Sequence, residues 1–187
     1  MNINQNMVKL GISGVCGKMG RRIFELASAD KTFEIALALE RKGIPAIGKE
    51  IGKLKISSNL DGIFLVDVFV DFTVAQAADE SLDYAAKYKK ALVLGTTGLS
   101  DNQLKKIEEV AKVIPVVFSP NFSIGVNTLF SILPQIAARL GPDYGIEIVE
   151  AHHKSKIDAP SGTAKKLAQV INDVINKEIP VHSIRLG

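Results

Sequence analysis

The densest run of titratable side chains is Glu150 to Ala164, EAHHKSKIDAPSGTA, with two histidines, two lysines, an aspartate and a helix start in fifteen residues. His152, His153 and Lys156 can each donate or accept a proton, which is what general acid–base chemistry needs. They follow an apolar segment, Gly145 to Ala151, expected to be a strand. The cluster is therefore expected in a strand-end loop, where a rigid element positions residues and the loop leaves them open to a ligand. Beyond it, Pro160 and Ser161 precede a helical pattern of apolar residues at Ala164, Leu167, Ala168, Ile171, Val174 and Ile175, with Ser161 as N-cap. A helix opening Ser161-Gly162-Thr163 exposes unpaired backbone N–H groups, and Gly162 lets an anion come close, which suits a carboxylate or phosphate. Capping alone explains such a triplet; the three titratable groups just upstream turn the reading toward a site.

The elements that must deliver something to this cluster lie upstream. An apolar strand, Val8 to Ile12, leads into Gly14, Gly17 and Gly20, then a helical pattern through Ile23, Phe24, Leu26 and Ala27. A second strand, Glu34 to Leu39, ends in Glu40-Arg41-Lys42, completing a βαβ unit. In Gly14-Val15-Cys16-Gly17-Lys18-Met19-Gly20 the glycines permit a tight turn and bring backbone N–H groups to a pyrophosphate. Glu40 falls 20 residues after Gly20, at the strand end where an acidic side chain accepts hydrogen bonds from a ribose. Arg41 and Lys42 beside it can compensate the extra phosphate of NADP, so use of both NADH and NADPH is expected. Cys16 is not a nucleophile on this reading, because the turn sets it against a phosphate and no acyl-transfer constellation surrounds it.

Further strands are expected at Val66 to Phe72, Ala91 to Leu94 and Pro115 to Phe118, and helices at Ala75 to Tyr88 and Asp101 to Val113. Residues Gly43 to Leu60 read as irregular, with one short strand at Leu54 to Ile56. Alternating strands and helices imply a parallel sheet covered on both faces. Asp71-Phe72-Thr73, Gly95-Thr96-Thr97-Gly98 and Asn121-Phe122 each come at a strand end, which puts them at the carboxyl edge where ligands bind. The rhythm breaks at Ser119 to Ser123, before a helix from Val126 to Leu140 that stops at Gly141-Pro142. The expected fold is α/β: a Rossmann-type doubly wound parallel sheet over residues 1–123, followed by a smaller α+β substrate-binding and catalytic domain over 124–187. No internal repeat or low-complexity tract is present.

Composition narrows the classes. In 187 residues, 23 Lys and Arg against 20 Asp and Glu leave a formal charge of +3 with no long basic run, so no nucleic-acid or membrane partner is expected. The single cysteine, Cys16, allows no intrachain disulfide, and a cytoplasmic location is expected. The polar N-terminus MNINQN does not resemble a signal peptide, and Met7 is a candidate start. The most apolar run, Ile63 to Ala75, is interrupted by Asp67 and Asp71 and falls short of the ~20 residues a bilayer span needs. No metal site is expected.

Together GVCGKMG, ALERKG, DFT, GTTG, NFSIGVN and EAHHKSKIDAPSGTA resemble the 4-hydroxy-tetrahydrodipicolinate reductases, or dihydrodipicolinate reductases, of the diaminopimelate and lysine pathway. The resemblance covers essentially the whole chain. It implies that Gly14, Val15, Cys16, Gly17, Lys18 and Met19 hold the cofactor pyrophosphate, and that Glu40 and Arg41 contact the adenosine ribose and its 2′-phosphate. It implies that Gly95, Thr96 and Thr97, with Ser119, Pro120, Asn121 and Phe122, line the nicotinamide end. His152 and Lys156 become the catalytic pair, and His153, Gly162 and Thr163 the ligands of a dicarboxylate substrate. The reaction implied is NADH- or NADPH-dependent reduction of a cyclic imine, with Lys156, supported by His152, supplying a proton. A homotetramer is implied too, and because the two sites fall on separate domains, closure of a hinge near Ser119 to Asn127 is expected to join them. Two departures stand out: Lys18 replaces an arginine common in the family, keeping the charge without the bidentate fork, and family members continue beyond Arg185-Leu186-Gly187. Two alternatives stay open: a non-catalytic dinucleotide-binding sensor, and another dehydrogenase on the same nucleotide fold.

Overall fold

The computed structural model describes residues 7–187; the polar N-terminus MNINQN lies outside them. The chain divides into two compact units, the first ending at Ser119 and the second beginning at Pro120.

In the first unit, β1 (Val8–Ser13) runs through the glycine turn into α1 (Lys18–Ala29) and returns as β2 (Phe33–Leu39). A two-strand hairpin, β3 (Glu50–Ile51) and β4 (Leu54–Lys55), and a 3₁₀ turn over Leu60–Leu65 follow. Then come β5 (Val68–Asp71), α2 (Ala75–Lys87), β6 (Ala91–Leu94), α3 (Asp101–Val110) and β7 (Val116–Phe118). The five long-range strands form one parallel sheet in the order β2-β1-β5-β6-β7. The chain steps outward from β1 to β2 and then crosses to β5 on the other side, so a topological switch point lies between β1 and β5.

Period-two alternation sends successive side chains to opposite faces. Leu37 and Leu39 of β2 pack with Phe69, Leu92 and Leu94 beneath Leu82, Ala85, Ile107 and Val110 of α2 and α3. Ala38, between them in sequence, joins Ile12, Val15 and Ile56 on the side of Ile23 and Phe24 of α1. The sheet is thus covered on both faces, the doubly wound arrangement expected. Ser100 caps α3 in a reciprocal capping box with Gln103.

In the second unit, α4 (Ile124–Leu140) is capped by Ser123 and ends at Gly141, whose φ of 78° a side chain rarely tolerates. Next come β8 (Ile148–His153), α5 (Gly162–Ile175) and β9 (Val181–Leu186), with β8 and β9 parallel. Ala137, Ile171 and Ile179 form the core of this unit, with Leu133, Ile148 and Ala168 against them.

Two differences from expectation bear on function. The strand expected at Gly145 to Ala151 is shifted to Ile148–His153, so His152 and His153 stand on the strand rather than in the loop after it. The cause is β9, which sequence reading did not anticipate: pairing of His152 with Arg185 and His153 with Leu186 extends β8 through both histidines. The strand expected over Val66 to Phe72 also shortens to Val68–Asp71, because the 3₁₀ turn claims its entrance and the Asp71 carboxylate bends its exit, as described below.

Candidate active site

The first unit holds a cleft of about 780 Å³ at the carboxyl ends of β1, β2 and β5, where the strand order reverses. Its lining includes Gly14, Cys16, Gly17, Glu40, Arg41, Phe72 and Thr73. Gly14 adopts φ +79°, and a Cβ there would lie 3.1 Å from the Phe72 carbonyl oxygen. A Cβ on Gly20 would lie 2.1 Å from the Gly14 carbonyl oxygen, so only glycine lets α1 start this close to the turn. Gly17 is the N-cap of α1, and neither a side-chain cap nor an acidic residue in the first turn serves its leading N–H groups. That end of the helix is suited to an anion. The Glu40 carboxylate spans the rim, accepting from the Cys16 N–H at 3.1 Å and the Arg41 N–H at 3.0 Å. A glycine cradle, an open helix N-terminus and an acid at the second strand end fit a dinucleotide. Partial desolvation, with Glu40 adding, pushes the Cys16 thiol up, which disfavours the thiolate a nucleophile needs.

Other residues named from sequence fall into different settings. Val15 is buried among Ile12, Ala38 and Ile56, and its N–H bonds to the Leu39 carbonyl, so it shapes the turn from below. Lys18 and Met19 are exposed on the first turn of α1. Thr96 is buried, and its hydroxyl donates to Asp71 at 3.2 Å while accepting from the Thr73 N–H. Asp71 is itself buried and accepts from the Thr73 N–H, the Thr73 hydroxyl and the Ser81 hydroxyl. This network bends the chain after β5 and holds Phe72 at the cleft. A Cβ on Gly95 would fall 2.1 Å from the Phe72 ring, so Gly95 acts as a seat for that ring. Thr97 is exposed.

The second unit carries the titratable cluster. Glu150 of β8 is buried and accepts from His152 Nδ1 and, at 3.0 Å, from Arg185 of β9. The Ser183 hydroxyl, with Arg185 and His152 adding, outweighs burial and holds the Glu150 carboxyl down to about 2. A carboxylate accepts only, so it assigns the proton to Nδ1 and leaves Nε2 of His152 as the nitrogen able to exchange one. Lys156 donates to Asp158 at 2.7 Å. Burial works against the Asp158 charge, but Lys156 and the Gly162 N–H hold its carboxyl below the usual range. His153 bonds through Nδ1 to the Ser155 hydroxyl at 2.7 Å. Ser161 caps α5 by accepting from the Ala164 N–H, as its sequence position predicts. Asn121 donates to the Thr163 hydroxyl at 3.1 Å, which ties one residue expected at the cofactor to another expected at the substrate. Pro120 lies beside them, 3.5 Å from where a Gly162 Cβ would stand, while Phe122 is exposed and Ser119 closes the first unit through its N–H to the Leu94 carbonyl.

Asp71 stands at the expected ligand-binding edge, but its hydrogen bonds to Thr73, Ser81 and Thr96 are visible only in the fold. Ser81 and Arg185 carry no local sequence signal, whereas Asp158 lies two residues from Lys156. Among the described residues, no group of three or more His, Cys, Asp and Glu side chains is placed to hold a metal ion. Nor is any described helix long and apolar enough to cross a membrane.

Comparison with known proteins covers both units. The family described as "Dihydrodipicolinate reductase, N-terminus" matches residues 8–122, and "Dihydrodipicolinate reductase, C-terminus" matches residues 125–187. The 4-hydroxy-tetrahydrodipicolinate reductase of Syntrophus aciditrophicus is 38% identical over 92% of this chain and 68% of its own length. That of Desulfotalea psychrophila is 41% identical with the same coverage. A dipicolinate-bound dihydrodipicolinate reductase from Paenisporosarcina sp. TG-14 superposes with a TM-score of 0.72 at 28% identity, covering 97% of this chain and 79% of that one. With both halves of the family pattern matched in order, and relatives near 40% identity across nearly all of it, the chain belongs to the dihydrodipicolinate reductase family.

Proposed function

We infer that this chain reduces 4-hydroxy-tetrahydrodipicolinate to tetrahydrodipicolinate in lysine and diaminopimelate biosynthesis, with NADH or NADPH as reductant and the 4-hydroxyl leaving as water. The observation that carries the reading is the setting of Asp158. Its carboxylate is gripped by the Lys156 ammonium and by the N–H of Gly162 at the start of α5, so an ammonium and a helix N-terminus already converge on one carboxylate. A dicarboxylate substrate presents that same group, and Thr163 follows Gly162 on the first turn of α5.

A nicotinamide cofactor, when bound, would supply the hydride. The glycine turn and the helix start it leads into would hold the pyrophosphate, Glu40 and Arg41 would address the adenosine ribose, and Gly95 to Thr97 with Ser119 to Phe122 would attend the nicotinamide end. Lys156 provides the proton that quenches charge developing on the substrate nitrogen system, and His152, with Nδ1 fixed by Glu150, exchanges protons through Nε2. His153, Gly162 and Thr163 orient the ring through its carboxylates. A cytoplasmic location and a homotetramer belong to the same reading; sedimentation of the purified chain measures the latter.

The test is spectrophotometric. Adding 4-hydroxy-tetrahydrodipicolinate should oxidise NADH and NADPH, and simple keto acids should not. NADH binding without oxidation would instead identify a dinucleotide sensor.

A further inference from the structure

We propose that Arg185 is a positioning residue for the proton-donating cluster, holding His152 through Glu150 and Lys156 through the backbone of its loop. This rests on the reductase reading above. Residues 156–158 belong to no helix or strand; the Lys156 N–H bonds to the His153 carbonyl at 3.1 Å, and the carbonyls of the segment need a further partner. Arg185 supplies that partner from β9. Its Nε donates to the Lys156 carbonyl at 3.3 Å, its Nη2 to the Asp158 carbonyl at 2.5 Å, and its Nη1 to Glu150 at 3.0 Å and to the Ile184 carbonyl at 2.9 Å. One planar fork thus reaches the loop on both sides of Ile157 and the carboxylate that fixes His152.

Only a guanidinium can do this, because it presents five donors in a rigid plane, whereas an ammonium is a point charge. Arg185 stands opposite His152 in the β8–β9 register, which places the fork beside the histidine it governs. Its side chain is 23% exposed and that of Lys156 21%, so both are partly withdrawn from the water that would otherwise satisfy the loop carbonyls. The same hydrogen bonds join β9 to the loop, so stapling and positioning must be separated by experiment.

Arg185→Lys and Arg185→Gln would be compared with Lys156→Ala for kcat, substrate KM, NADH dissociation constant and Tm. Misplacing a catalytic group by about 1 Å costs on the order of a hundredfold in rate. The expected result is a kcat loss of roughly tenfold or more in both Arg185 variants, with the NADH dissociation constant within about twofold of the parent. Arg185→Lys should fail to rescue turnover even where it recovers Tm. Turnover within about threefold of the parent in folded Arg185→Lys, or a kcat loss that simply follows Tm across the two variants, overturns the positioning role. Lys156→Ala separates the two levels of the account. If it leaves turnover intact, the site assignment fails; if it abolishes turnover while Arg185→Lys does not, only the present inference fails.

Discussion

In the first unit the candidate cofactor cleft is made largely of main chain, whereas in the second the candidate chemistry is made of side chains that hold one another. Gly14, Gly17 and Gly20 act by lacking a Cβ, and the start of α1 acts through backbone N–H groups. Glu150, Lys156, Asp158 and Arg185 act through charge, with His152 hydrogen-bonded to Glu150 and the loop carbonyls of Lys156 and Asp158 accepting from Arg185. A backbone site tolerates changes of charge and fails on added volume. A side-chain network tolerates small changes of volume and fails when one partner is removed, because the remaining buried group is left unpaired.

Substitutions in the two units should therefore fail in different ways. Gly20→Ala drives a Cβ to within 2.1 Å of the Gly14 carbonyl, so the turn must shift. Overpacking of this kind costs about 1–3 kcal/mol, and NADH affinity should fall by roughly tenfold or more in a fluorescence titration. Unaltered affinity would mean that the turn does not carry the cofactor.

Glu150→Gln tests the charged network through pH. The Glu150 carboxyl is lowered in the folded chain from its ordinary 4.5 to about 2, so the folded state binds fewer protons than the unfolded chain within that window. Its stabilising contribution is present above pH 4.5 and lost as pH falls toward 2. The parent should therefore lose Tm more steeply than Glu150→Gln on acidification below pH 4.5. Equal slopes would remove Glu150 from the electrostatics of this unit.

Arg41→Ala should raise the NADPH dissociation constant by about tenfold and leave that of NADH within about twofold, since charge-assisted bonds to a phosphate contribute about 1.5–3 kcal/mol. Equal effects on both cofactors would assign the 2′-phosphate elsewhere. The smallest change is expected for Ser161→Ala, which removes the α5 cap and should cost about 1 kcal/mol in denaturant unfolding. An unchanged midpoint would show that the Ser161 hydroxyl adds nothing to α5.

How much of this was legible in sequence follows the same division. The doubly wound sheet and the glycine turn announce themselves locally, because apolar period, glycine spacing and the acid 20 residues on all lie within one βαβ unit. His152, His153 and Lys156 also stand together in the chain, and the Ser161 cap follows from its neighbours. Arg185 was not legible, since it reaches Lys156 across 29 residues and Glu150 across 35, through a strand with no strong apolar alternation. Asp71 reads as the end of a strand; that its carboxylate gathers Thr73, Ser81 and Thr96 depends on the register of β5 with β6 and on the start of α2. The shift of β8 by its unanticipated partner has the same origin. Tertiary pairing decides where a short strand begins and ends, and composition does not encode it.

On the proposed function, the β8–α5 loop supplies the proton donor while the glycine turn of the first unit carries the cofactor pyrophosphate. Measuring kcat and the NADH dissociation constant side by side for Lys156→Ala tests it most directly. Turnover should fall by about a hundredfold or more with cofactor affinity within about twofold of the parent. Undiminished turnover, or a loss of NADH affinity that accounts for the whole decline, would contradict it.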